Sequence, residues 1–277
     1  MAPYHIRKYQ ESDHTQVLAL FASGMEEHIP ATFHHVLRLP RTFLLLLGVP
    51  IALLLVYGSW ILAGCCTCML LLFLWFIVEY PWRQYMSTCL RTDLADIIKS
   101  YLSSRDSCFW VAECERQVVG MVGVLPVKDP PLGKKQLELL HMSVALEHRG
   151  KGIAKALVRT VLQFARDQSC SEVILETTMM QHGALALYQG MGFQKTGQSF
   201  FTILRRLVDI PTFQLIPTCP LASIHFLVLV LLDCDFECKR FPETLQVIVQ
   251  NNLTLKLLEP RCSRIGTMRV KANGAAV

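Results

Sequence analysis

No charged residue occurs between Thr42 and Val78, a run of 37 residues. A stretch so long without charge cannot be a solvated segment. About 20 apolar residues suffice to span a bilayer, so it reads as membrane-embedded. Lysine, arginine, aspartate and glutamate together make up 18% of the chain, against about 25% in soluble domains. The shortfall comes mainly from this run, which also raises the hydrophobic share to 52%. The run begins some forty residues in and lacks a small-residue cleavage pattern behind a short apolar core. It therefore reads as an anchor and not as a signal peptide.

Two further scarcities narrow the function. The net charge of +5 is small and spread along the chain, which argues against nucleic-acid binding. Cysteine is not scarce, at 11 residues, but its pairing patterns are. Cys65, Cys66 and Cys68 sit inside the apolar run, and the rest form no C-x-x-C pair and no matching His pair. Zinc and disulfide scaffolds are thereby disfavoured, no metal is expected, and an odd number of thiols suits a reducing compartment.

At about 1.5 Å per residue the apolar run would make a helix of roughly 55 Å, nearly twice the ~30 Å hydrocarbon core. Two crossings that turn near Gly58-Ser59 or Gly64 fit better. Arg38 and Arg41 flank one end and Arg83 and Arg91 the other, so both ends are expected on the cytosolic side.

Outside the run, periodicity alternates between strand and helix. Residues 4–9 (YHIRKY) alternate like a strand. Residues 11–28 read as a helix with Asp13 placed to cap it. Residues 92–104 (TDLADIIKSYLSS) read as another helix. CFWVAEC and QVVGMVGVLPV form a hairpin turning at Glu115-Arg116, QLELLHMSVA a further strand, and residues up to Gln168 a helix. EVILETT is a strand, HGALALYQGM a helix, and FQKTGQSFFTILRRL two strands with a glycine turn. The alternation predicts an α/β domain with a mixed sheet.

The expected organisation is therefore residues 1–35 as first strand and helix, 36–80 as membrane insert, and 81–210 as the core. Residues 211–277 form an atypical extension of no assigned role, containing a glycosylation acceptor pattern at Asn252.

Two motifs carry chemistry. Arg149, Gly152 and Ala154 make R-x-x-G-x-A between a strand and a helix. Gly150 and Gly152 there cost helix stability, roughly 0.5–1 kcal/mol each relative to alanine, which demands a reason. Bare backbone at a helix start can touch an anion directly. Forty residues on, Ala184, Leu187-Tyr188 and Gly192-Phe193 make A-x-x-L-Y-x-x-x-G-F.

Together these motifs resemble the GNAT acetyltransferases over residues 3–30 and 85–209. CFWVAE, VVGMVG and GIAKALVRTVLQFARDQ resemble its camello-like, N-acetyltransferase 8 branch. That resemblance implies a GNAT fold interrupted by a transmembrane hairpin, with acetyl-CoA as co-substrate. Backbone amides of Arg149, Gly150, Lys151, Gly152, Ile153 and Ala154 would wrap its diphosphate. The pantetheine arm would lie along Met142, Ser143 and Val144, one of whose amides polarises the thioester. Tyr188 would protonate the leaving thiolate.

For the base the resemblance implies Glu138; Glu176 acting through a water and His141 are the alternatives. Lys151, Lys155 and Arg159 recur every fourth residue and form a basic stripe that could meet the coenzyme's remaining phosphate.

The expected protein is an integral membrane N-acetyltransferase of the endoplasmic reticulum or secretory pathway, its catalytic domain cytosolic. Its acceptor is a primary amine, on a protein lysine or a cysteine S-conjugate. A second reading is a catalytically weak homologue that acts as a membrane scaffold in adhesion or secretory traffic.

Overall fold

The computed structural model describes residues 4–131, 133–200, 206 and 210–217. Seven strands form one sheet in the order β1-β2-β3-β4-β5-β7-β6. They are β1 (His5–Lys8), β2 (Cys108–Cys114), β3 (Gln117–Pro126), β4 (Gln136–Val144), β5 (Glu172–Thr178), β6 (Phe193–Ser199) and β7 (Thr212–Pro217). Only β4 and β5 run parallel; every other neighbouring pair is antiparallel. The β2–β3 turn falls at Glu115-Arg116 as expected, with φ of 51° and 67°. Such positive values match the twist that a two-residue hairpin needs.

Among the described residues six α-helices accompany the sheet: α1 (His14–Glu26), α2 (His28–Leu37), α3 (Pro40–Tyr57), α4 (Trp60–Arg91), α5 (Ile153–Asp167) and α6 (His182–Gly190). On α1, Val17, Leu20, Phe21 and Gly24 are buried, the i, i+3, i+4, i+7 stripe of a helix laid on a core. Val17, Leu20 and Phe21 join Leu94, Ile97, Tyr101, Phe109 and Met121 in one core cluster. On α5, Ile153, Leu157, Val158, Val161, Leu162 and Ala165 are buried. Its Phe164 meets Trp110 of β2 edge to face, with centroids 5.2 Å apart.

The apolar run folds as the helices α3 and α4, turning at Gly58-Ser59. Gly58 takes a left-handed φ of 63° and donates its amide to the Leu54 carbonyl (2.8 Å), closing α3. The Ser59 hydroxyl accepts from Leu62 N (3.4 Å), opening α4. No residue of α3 is buried, and both helices are long and apolar enough to cross a membrane. In contrast to a boundary at residue 80, α4 runs on to Arg91. Its Val78 and Trp82 pack with Ile29 and Val36 of α2 and with Met180. The Trp82 indole donates to the Thr32 hydroxyl (3.2 Å, buried).

Four expectations need correction. Asp13 precedes α1 but makes no side-chain cap. Its carboxylate instead accepts from both terminal nitrogens of Arg7 (2.6 and 2.8 Å) and from the Gln10 amide (2.9 Å). Against the upward pull of burial, that ion pair holds its pKa below the usual value. Residues 92–104 yield only a short π-helix, Ile98–Leu102, in place of the longer helix expected. Gly197 makes no turn: it lies inside β6, where the register to β7 slips by one residue. The last strand is Thr212–Pro217, which falls in the range assigned to the extension and completes the sheet between β5 and β6. Residues 218–277, with Asn252, lie outside the described residues.

Candidate functional site

The β4–β5 ladder pairs Gln136↔Glu172 through Leu139↔Leu175 and then stops. Beyond it the two strands part, and residues 140–144 of β4 face the gap with backbone groups that β5 no longer takes up. An extended ligand can supply what the sheet withdraws. In β4 itself His141 and Met142 are an irregularity: Leu140 pairs with Gly123 and Ser143 with Met121, so two residues oppose Val122 alone. His141 carries the positive φ, 53°. Bulges of this kind re-aim side chains beside active sites.

Two cavities open on the gap. The larger, about 660 Å³, is walled by Met142, Ser143 and Val144 of β4, by Arg149, Gly150, Gly152, Ile153 and Ala154, and by Lys155. Ser143 is itself buried, and its hydroxyl faces the Leu20 carbonyl of α1 (3.5 Å). Gly150 and Gly152 both hold positive φ, 74° and 80°, and Gly152 is the N-cap of α5. Glycine at the cap has no hydroxyl or carboxylate to occupy the first amides of the helix. They carry no side-chain cap at the positive end of the dipole, an arrangement that suits an anion.

Arg149 does not face this anion site as a free charge. Its Nε donates to the Val144 carbonyl (3.0 Å) and a terminal nitrogen to Glu27 at the end of α1 (2.8 Å). It ties the loop to β4 and α1. Lys151 is exposed and absent from the wall, whereas Lys155 is on it.

The smaller cavity, about 520 Å³, is bounded by Glu138, His141 and Met142 of β4, Glu176 of β5, Tyr188 of α6, and Trp82, Tyr85 and Thr88 of α4. Met142, Met25, Gln181 and Ala184 border both cavities, so the two meet at the bulge. Burial, with Glu176 nearby, pushes the Glu138 carboxyl above its ordinary pKa; burial does the same to Glu176. Tyr188 is 4% exposed, and burial raises its phenol as well. Glu138, Glu176 and Tyr188 are thus brought together around one cavity, where a carboxylate of raised pKa is a better proton acceptor.

Some of the wall was not anticipated from sequence. Pro81, Tyr85 and Thr88 follow one another at i, i+4, i+7 on α4, a spacing visible in the sequence but masked by the assumption that the insert ended before them. His28, whose pKa burial lowers, stacks on Trp82 with centroids 5.3 Å apart and borders the larger cavity. Gln181 accepts from the Thr177 hydroxyl and the Thr178 amide (3.0 and 3.1 Å), fixing the junction of β5 with α6.

Asp93 lies near the start of the helix expected over residues 92–104, where its pattern signals no wider role. It instead accepts from His141 Nε2 (2.5 Å), from the Tyr101 hydroxyl and from Thr92 Oγ1 (3.0 Å). Cys89 Sγ lies near the same carboxylate and imidazole.

The profile of the acetyltransferase (GNAT) family matches residues 74–193. N-acetyltransferase 8F1 of Rattus norvegicus is 65% identical over 215 residues, covering 78% of this chain and 97% of that protein. N-acetyltransferase 8B of Homo sapiens is 61% identical over 223 residues, covering 80% and 98%. Among solved structures, a GNAT-family acetyltransferase from Staphylococcus aureus Mu50 aligns with a TM-score of 0.46 at 16% identity, over 76% of this chain and 97% of that one.

Proposed function

The chain belongs to the GNAT acetyltransferases, within the N-acetyltransferase 8 group, and on that premise we propose that it moves an acetyl group from acetyl-CoA to a primary amine at the gap between β4 and β5. One observation carries the reading: the glycine-capped start of α5 and the Glu138–Glu176 pair stand on opposite sides of the bulge at Met142. The first suits a diphosphate, the second an ammonium, and the thioester would lie between them.

In this reading the amides of residues 150–154 hold the diphosphate, and the free edge of β4 at Met142, Ser143 and Val144 pairs with the pantetheine arm. An amide there stabilises the oxyanion that forms as nitrogen attacks, an effect of about 3–4 kcal/mol. Glu138 and Glu176 receive the cationic amine. Tyr188, kept protonated by burial, donates to the departing thiolate. The acceptor is the amine of a protein lysine or of a cysteine S-conjugate.

The α3–α4 hairpin is proposed to cross the membrane, with its two ends on the cytosolic side of the endoplasmic reticulum or a later secretory compartment. Support comes from β1, which precedes the hairpin and pairs with β2, which follows it. Both belong to one folded sheet and so to one compartment, which requires an even number of crossings.

The test is an acceptor screen with the purified full-length protein and labelled acetyl-CoA, offering S-benzylcysteine, histone peptides or neither. Label transferred to one class and not to the blank supports the reading and selects the acceptor. Absence of acetyl-CoA binding removes it and returns the scaffold reading.

A further inference from the structure

We propose that His141, oriented by Asp93, takes the proton from the attacking amine, while Glu138 and Glu176 draw the ammonium in. The inference rests on the acetyltransferase reading above and assigns its base.

A carboxylate only accepts, so the bond between His141 Nε2 and Asp93 places a proton on Nε2 and leaves the lone pair on Nδ1. That Nδ1 is buried and has no hydrogen-bond partner among the described residues. Buried polar atoms are nearly always paired, and this one, unpaired in a side chain 2% exposed beside a cavity, is completed when a ligand atom or an ordered water reaches it. His141 borders the acceptor cavity. It is also one residue from Met142, which borders both cavities. The positive φ at 141 holds the ring there against an ordinary strand conformation. Phe21 meets the imidazole edge to face with centroids 5.1 Å apart, and Tyr101 flanks it at 6.3 Å.

Asp93 is built to remain ionised. The Tyr101 hydroxyl and Thr92 Oγ1 donate to it alongside His141. These bonds outweigh its burial and hold the carboxyl down to about 2. The other ionisable groups facing the imidazole are Cys89 and Tyr85 on α4, Tyr101, Glu138 on β4, Glu176 on β5 and Tyr188 on α6. None of these groups, among the described residues, is cationic.

The proton count closes. An acceptor arriving as an ammonium first gives one proton to solvent through the carboxylates. The C–N bond then forms as the C–S bond breaks; nitrogen's proton passes to Nδ1, and Tyr188 gives its proton to sulfur. The imidazolium returns a proton to the tyrosinate, and amide and thiol leave as neutral products.

The experiment compares His141→Gln, Tyr101→Phe and Glu138→Gln in the full-length protein, recording kcat against pH and acetyl-CoA affinity. His141→Gln should lose about 10²-fold or more in kcat and its acid limb, with coenzyme affinity kept. Tyr101→Phe should shift that limb, since it alters only the support of Asp93. Glu138→Gln should raise KM for the amine and leave the limb in place. Added imidazole should restore turnover in His141→Ala. A His141→Gln enzyme with near-normal kcat and an unmoved limb overturns the proposal. So does an unmoved limb in Tyr101→Phe, should His141→Gln fail to bind coenzyme. Wild-type protein that transfers no acetyl group defeats the underlying reading instead, a separate result.

Discussion

Gly123 of β3 lies directly under the ring of Tyr101. A Cβ at position 123 would come within 2.8 Å of Tyr101 Cε1 and 3.0 Å of the Phe109 ring. Both rings are fully buried, so neither can swing into solvent. Gly123→Ala should therefore displace Tyr101 and destabilise the fold by about 1–3 kcal/mol. Thermal unfolding should show Tm lower by several degrees. If Tyr101 supports Asp93 as proposed, kcat should fall with it while acetyl-CoA affinity is kept.

Arg149 is an exposed tie between a loop, β4 and α1, and its ion pair with Glu27 is worth little for stability, under about 1 kcal/mol. Its worth lies in holding the loop in place. Arg149→Ala should raise KM and Kd for acetyl-CoA with little change in Tm or in kcat at saturation. Lysine should restore only part, because it cannot reach Val144 and Glu27 at once. Calorimetric titration with CoA separates the two effects.

Gly152 combines a left-handed backbone with the N-cap of α5. Gly152→Val forces a branched side chain into that conformation at a cost of about 1–3 kcal/mol and covers the uncapped amides. Coenzyme affinity should drop at least ten-fold, about 1.4 kcal/mol, in a protein that still melts cooperatively. Unaltered affinity in the variant would remove the diphosphate site.

The Asp93 carboxyl sits at about 2 in the fold against an ordinary 3.8. A depressed carboxylate stabilises the native state above its unfolded pKa, and the gain disappears as pH falls through the folded value. The window is therefore about pH 4 down to 2, with about 2 kcal/mol at stake. Chemical denaturation across that range should show a steeper acid loss in wild type than in Asp93→Asn. Glu138 and Glu176, both raised, act in the opposite sense: their ionisation weakens the fold as pH climbs above their usual range.

Sealed microsomes test the proposed hairpin. Tags on the N-terminal strand side and on the catalytic side should both be digested by added protease without detergent, leaving a protected fragment that contains α3 and the apolar part of α4. A protected catalytic domain would place the enzyme on the opposite face.

What the residues disclosed depended on how locally each feature is specified. The Glu115-Arg116 turn, the glycine start of α5 and the break at Gly58-Ser59 are each set by neighbours a few positions away, and each stands where it was expected. The Gly197 turn was misread because one glycine serves a turn and a bulge equally. Strand β7 escaped notice because its place is fixed by partners in β5 and β6 and not by its own pattern. The Asp93–His141 bond joins residues 48 apart through a bulge that no periodicity signals. Met142, Ser143, Val144, Glu138, Glu176 and Tyr188 were legible as candidates only through the family resemblance, and the fold gathers them at one gap.

Helix α4 has a final consequence. It leaves the apolar run at Val78 and, without interruption, presents Pro81, Tyr85 and Thr88 to the smaller cavity. With the hairpin seated in lipid, those residues stand about 5–15 Å above the last buried turn, at 1.5 Å per residue. The helix is then a ruler. On the proposed function, nitrogen atoms that dwell near the headgroups, on an amphiphile or a juxtamembrane tail, come within its reach more readily than those on a compact cytosolic protein.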